Sequence, residues 1–151
     1  LKLARKSLGG ELTGFEGMWN PYYRQTGARV KGGGGPPPTH PPFYVLLEAS
    51  GSDAERMRSS LEQMLETAMG DELILDATLS TSNASAASIW RIRDSSVELG
   101  RSFPFAARMG FDVSIAIDRM EAFADTLDTR VKAIDQSASR HLSRAYAREA
   151  R

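Results

Sequence analysis

Ile89-Trp90-Arg91-Ile92-Arg93-Asp94 and, after a connector, Phe111-Asp112-Val113-Ser114-Ile115-Ala116-Ile117-Asp118-Arg119-Met120 form the stretch on which the fold turns. In the first part Ile89 and Ile92, with Leu99 beyond, fall at helical spacing and predict an amphipathic helix closed by Gly100. In the second part Phe111, Val113, Ile115 and Ile117 alternate with Asp112, Ser114 and Ala116, which predicts a half-buried strand. Asp118 and Glu121, in an Asp-x-x-Glu arrangement, then predict a capped helix that buries Met120, Phe123, Leu127, Val131 and Ile134.

Working outward, the same alternation recurs. Residues 1–8 predict a short basic helix stopped by Gly9-Gly10. Residues 11–18 predict a strand weakened by Gly14 and Gly17. Asn20 and Pro21 then open a helix that extends to about Val30, with Pro at the first position, where a missing N–H costs nothing. Residues 43–50 predict the clearest strand, with Phe43, Val45, Leu47 and Ala49 on one face and Leu46 on a partly covered second face. Ser52 and Glu55 form a Ser-x-x-Glu capping box before a helix striped with Met57, Leu61, Met64, Leu65 and Ala68 and ended by Gly70-Asp71. Residues 73–80 predict another alternating strand, and Ser82 caps the helix of the opening stretch.

Strands alternating with helices often build a parallel doubly wound sheet. Here no strand runs through a Gly-rich turn into a helix. The strand faces are also mostly apolar on one side, which fits a sheet covered on one face. The expectation is therefore an α+β fold, a ferredoxin-like antiparallel sheet with helices packed mainly on one face. Residues 1–135 form the expected domain. It is interrupted by a Gly/Pro loop at 31–42, where four glycines are followed by Pro36, Pro37 and Pro38. That loop is not a phosphate cradle, because no Gly-Lys-Ser/Thr follows it. Residues 136–151 change character: Arg140, Arg144, Arg148 and Arg151 stand among Ala and Ser, which predicts a solvated helix or a frayed tail.

A chain of 151 residues with 41% hydrophobic and 25% charged content has the composition of one globular domain. Lys+Arg and Asp+Glu number 19 each, and this balance argues against a nucleic-acid binder. The absence of cysteine excludes disulfides and thiolate metal sites, and it fits a reducing, cytoplasmic setting. No apolar run reaches the roughly 18 residues of a membrane span, and no signal peptide is readable.

Arg93 is the first chemical candidate. On its helix it lies beside the apolar stripe, with Trp90 and Val97 on the same flank. An arginine at a core boundary can grip a carboxylate with two parallel hydrogen bonds, or simply lay its stem over apolar surface. Asp112 and Ser114 share the polar strand face, toward a cleft or toward solvent, and Arg108 and Arg119 flank that strand as surface charges. His40 and His141 have no second ligand at metal spacing. Glu16 is a lone carboxylate on a strand, weak evidence for acid–base chemistry. No Ser/His/Asp arrangement is readable, and no residue is assigned as catalytic.

Ile89-Trp90-x-Ile92-Arg93-Asp94, Phe111-Asp112-Val113-Ser114 and Asp118-Arg119-Met120 resemble the C-terminal domain of the FAD-linked oxidases. That family includes D-lactate dehydrogenases, the glycolate oxidase large subunit and D-2-hydroxyglutarate dehydrogenase. Leu12-Thr13-Gly14-Phe15-Glu16-Gly17-Met18 and Pro42-Phe43-Tyr44-Val45-Leu46-Leu47-Glu48 resemble two of its strands, so the likeness covers roughly residues 8–136. The resemblance implies a ferredoxin-like cap domain that supplies substrate contacts. It implies oxidation of a D-2-hydroxy acid by FAD, with FAD held mainly by a separate domain or subunit. It implies that Arg93 contacts the substrate carboxylate. Contact with an electron acceptor or a membrane surface, and a homo-oligomer, stay open.

The departures are as informative. A threonine expected four residues after the arginine in the 2-hydroxyglutarate branch is Val97, and a lysine expected before the strand is Gly110. The family's histidine-rich segment, which holds a divalent metal in some members, is replaced by Ser139-Arg140-His141-Leu142-Ser143-Arg144, so the metal ligands are missing. The expectation is the substrate-side part of an enzyme, inactive as a 151-residue chain alone. Its tail is either a non-family terminus or translation in another frame. The alternative is a free-standing ferredoxin-like module that binds a ligand or partner without catalysis.

Overall fold

The computed structural model describes residues 1–27, 41–95 and 113–136, with the backbone of residues 145–146. A first helix, α1 (Lys2–Leu8), ends at Gly9, whose φ of 53° is open to glycine and strained for a side chain. A 3-10 turn (Gly9–Glu11) leads into β1 (Leu12–Trp19), and α2 (Asn20–Gly27) follows without a break. The second strand, β2 (Phe43–Ala49), returns antiparallel to β1, from Leu12 opposite Ala49 to Trp19 opposite Phe43, with the register shifting between Leu12 and Gly14. Two longer helices come next, α3 (Ala54–Gly70) and α4 (Asn83–Asp94). A 3-10 turn (Ile117–Arg119) opens α5 (Met120–Ile134), and β3 (Ala145–Tyr146) pairs antiparallel with β1. The sheet order is β2-β1-β3.

The expected α+β class with an antiparallel sheet is therefore present. The helices, however, serve both faces of the strand pair rather than mainly one. Met18, Tyr44 and Leu46 join Tyr22, Tyr23 and Ile92 in one core, with Ile89 and Trp90 packed against it. Phe15, Leu47 and Ala49 pack with Ala4, Leu8 and Met64 in a second core, together with Leu61 and Leu65. Because alternate side chains point to opposite faces of a strand, the two cores lie on opposite sides of the pair. Tyr44 and Leu46 are buried, whereas Phe43 and Val45 are exposed. The face expected to be buried at the start of β2 is thus reversed, since α2 and α4 cover the Tyr44 side there.

Two expected strands do not appear among the described residues. Residues 73–80 are irregular, with Leu73 64% and Leu75 82% exposed. Residues 113–116 are irregular too, and Ile117 begins a 3-10 turn rather than ending a strand. Both segments alternate correctly but lack a paired neighbour among the described residues, and alternation without a partner leaves backbone groups to water. The caps also shift. Asp53, not Ser52, caps α3 by accepting the Arg56 N–H at 3.0 Å. No side chain caps α5, so Asp118 does not play that part. Ser82 does cap α4, reciprocally with Ser85. In the segment expected to be a solvated helix or frayed tail, residues 145–146 are a strand.

Candidate functional site

The site is built where β1 passes under α4. β1 is the central strand, paired with β2 on one side and β3 on the other, so Glu16 sits on backbone held from both edges. Glu16 faces the same side as Met18, toward α4, and is 8% exposed. Arg93 reaches it from the last turn of α4. The Arg93 Nε donates to Glu16 Oε2 at 2.5 Å and Nη2 donates to Oε1 at 3.0 Å, a two-bond fork. The Arg93 Nη1 donates to Asp94 Oδ1 at 2.7 Å. The guanidinium also lies 5.8 Å from the centre of the Trp90 ring, within cation–π range.

The neighbouring groups hold this arrangement in place. The buried Tyr22 hydroxyl donates to the Arg93 carbonyl at 2.6 Å, which ties α2 to the last turn of α4. It therefore satisfies a carbonyl that the helix end would otherwise leave to water. At Gly14 a Cβ would press on the Glu48 Cβ of the paired strand at 3.2 Å and would make ordinary contact with the Trp90 ring at 3.6 Å. Gly17 lies directly under the Phe43 ring, where a side chain would collide. Of the two glycines that weaken the strand in sequence, Gly17 thus marks the close approach of an aromatic ring and Gly14 a tight fit against Glu48.

The electrostatics follow from the geometry. The Glu16 hydrogen bonds push the Arg93 pKa up, burial opposes this, and Asp94 adds to it, so the guanidinium stays charged at any working pH. Arg93 side-chain exposure is 21%, against 10% for Glu16. The cation is therefore the more exposed member of the pair.

Of the expected site residues, the structure places Arg93 at the core boundary, as its flank position implied, and puts Trp90 beside it. Ser114 and Arg119 are exposed, and the Arg93 side chain hydrogen-bonds to Glu16 and Asp94 instead. Val97, Arg108, Gly110, Asp112, His40 and His141 lie outside the described residues, as does most of the Gly/Pro loop. Sequence reading missed the Glu16–Arg93 pairing and the Tyr22 clamp. The first had a signal: a carboxylate alternating with Met18 on an apolar strand face needs a buried cation. The second had none.

Among the described residues no three His, Cys, Asp or Glu side chains could hold a metal together. A concavity of about 300 Å³ is lined by Asp125, Thr126, Thr129 and Arg130, all on the exposed side of α5. Four positions on one helix enclose no slot for a flavin ring.

Comparison with known proteins bears on this geometry. The family described as FAD linked oxidases, C-terminal domain, matches residues 3–142. A protein of Oryza sativa subsp. indica, named "Probable D-2-hydroxyglutarate dehydrogenase, mitochondrial", is 31% identical over 132 residues, or 87% of this chain and 23% of that protein. The Rattus norvegicus mitochondrial D-2-hydroxyglutarate dehydrogenase is 29% identical over 90 residues, 60% of this chain and 16% of its own length. The D-2-hydroxyglutarate dehydrogenase of Xanthomonas citri pv. viticola is 35% identical over 83 residues, 54% of this chain and 16% of its own. The chain thus spans about a quarter or less of the relatives it matches.

Proposed function

The chain belongs to the family of FAD linked oxidases, C-terminal domain, and from that premise we propose that it is the substrate-side cap domain of an FAD-dependent oxidoreductase acting on a D-2-hydroxy acid. The names of its relatives point to D-2-hydroxyglutarate among such acids. D-lactate and glycolate are the competing substrates, and Val97 and Gly110 leave room for them. In this reading a separate domain or subunit holds the flavin, and this chain contributes a carboxylate grip.

The observation that supports the reading is Arg93 itself. It is a permanently charged guanidinium at a core boundary, fixed by a buried carboxylate and an aromatic ring, and it is the more exposed member of its ion pair. Planar, two-bond recognition of a carboxylate is what such a group does well.

The test is a titration of the 151-residue chain with D-2-hydroxyglutarate, D-lactate and glycolate, followed by its backbone amide NMR signals. The same titration is made on Arg93→Lys, which keeps the charge and loses the fork. Binding weakened about tenfold or more in the variant supports the reading. Equal binding by the two proteins removes the carboxylate role. The ranking of the three acids selects the substrate type.

A further inference from the structure

A guanidinium has five N–H groups, and the way Arg93 spends them is informative. Its side-on edge, made by Nε and Nη2, is filled by both oxygens of Glu16. One N–H of Nη1 goes to Asp94. One N–H on Nη1 and one on Nη2 lie outside these three contacts, and Arg93 is the partly exposed member of the pair. The two carboxylates are not equivalent. Glu16 is buried on the central strand and binds through two oxygens, whereas Asp94 is 58% exposed and binds through one.

We propose that Glu16 is the positioning residue of the anion site: by gripping the inner edge of Arg93 it aims the outer Nη1/Nη2 edge at an incoming carboxylate. This rests on the reading of Arg93 as a carboxylate grip and adds the group that orients it. Charge alone predicts the opposite, since a second anion near Arg93 repels a bound acid. Positioning therefore has to outweigh repulsion at Glu16 and has nothing to outweigh it with at Asp94. The support is suited to the task. Glu16 rides on a strand paired on both sides, the Tyr22 hydroxyl fixes the Arg93 backbone, and Trp90 flanks the guanidinium.

The two carboxylates supply the test. Glu16→Gln and Asp94→Asn each remove one negative charge, and each is titrated as the 151-residue chain with D-2-hydroxyglutarate, followed by the Arg93 Nε–H signal. Glu16→Gln is expected to bind about tenfold more weakly, with its Nε–H signal losing the shift and exchange protection of the fork. Asp94→Asn is expected to bind as well as the parent or better. If both variants bind more tightly, only charge matters and the proposal is overturned. If Glu16→Gln binds as the parent does, it is overturned too, while the carboxylate reading stands. If the parent shows no binding, that reading fails and this inference with it. Should Glu16→Gln not fold, Glu16→Asp keeps the charge but shortens the reach, and affinity equal to the parent's overturns the proposal.

Discussion

A carboxylate on the inward face of a strand must find a cation, because a lone buried charge costs several kcal/mol. Glu16 and Arg93 meet that demand together, seventy-seven residues apart. Tyr23 is a second residue whose chemistry is set by burial. Its ring stacks on Tyr44 with centroids 3.7 Å apart, and it is 4% exposed. Burial, with a smaller contribution from Tyr44, pushes its pKa up from 10.0 to about 12. Above about pH 10 the unfolded chain loses this proton and the folded chain keeps it, so the unfolded state binds fewer protons and stability falls as pH rises. The contribution is whole below about pH 10 and is lost as pH approaches about 12, by about 1–2 kcal/mol in all. Urea midpoints at about pH 9 and about pH 11 measure this, and Tyr23→Phe should fall less between them than the parent. Parallel falls in the two proteins would place the alkaline loss elsewhere.

Elements show what a one-dimensional reading can and cannot reach. The Ser52-x-x-Glu55 pattern located the start of α3 to within one residue but picked the wrong cap, because the Asp53 carboxylate is the group that reaches the Arg56 N–H. The consequence is measurable. Asp53→Ala should cost about 1 kcal/mol of stability, and Ser52→Ala should cost almost nothing. A larger loss at Ser52 would restore the first assignment. Helices and the β1–β2 pair were legible because their apolar periodicity meets a partner. Residues 73–80 and 113–117 carry equally good alternation and form no strand, since alternation says which side chains share a face and nothing about whether a neighbouring strand is there. The site divides the same way. Arg93 could be placed from its flank on α4, and Glu16 stood out only as a polar residue among apolar ones. The Tyr22 hydroxyl crosses seventy-one residues to the Arg93 carbonyl with no pattern to announce it.

Across the whole molecule, apolar surface is divided unevenly. Two cores grip opposite faces of one strand pair, while Leu73, Leu75, Val113 and Ile117 stand 49–82% exposed in segments whose pattern suits strands. Ile92 lies at the centre of the first core at 2% exposure, so Ile92→Ala removes buried methyl groups and should cost about 2–5 kcal/mol. Leu75 at 82% exposure holds little of its side chain against the protein, so Leu75→Ser should change stability by no more than about 0.5 kcal/mol. The comparison tests the architecture as well as the two residues. If residues 73–80 instead extend the sheet beyond β2 in solution, every second side chain there becomes core, and Leu75→Ser would cost several times more than an exposed site allows. Urea unfolding of the parent and the two variants decides between these arrangements: a Leu75→Ser loss approaching that of Ile92→Ala would add a strand to the sheet.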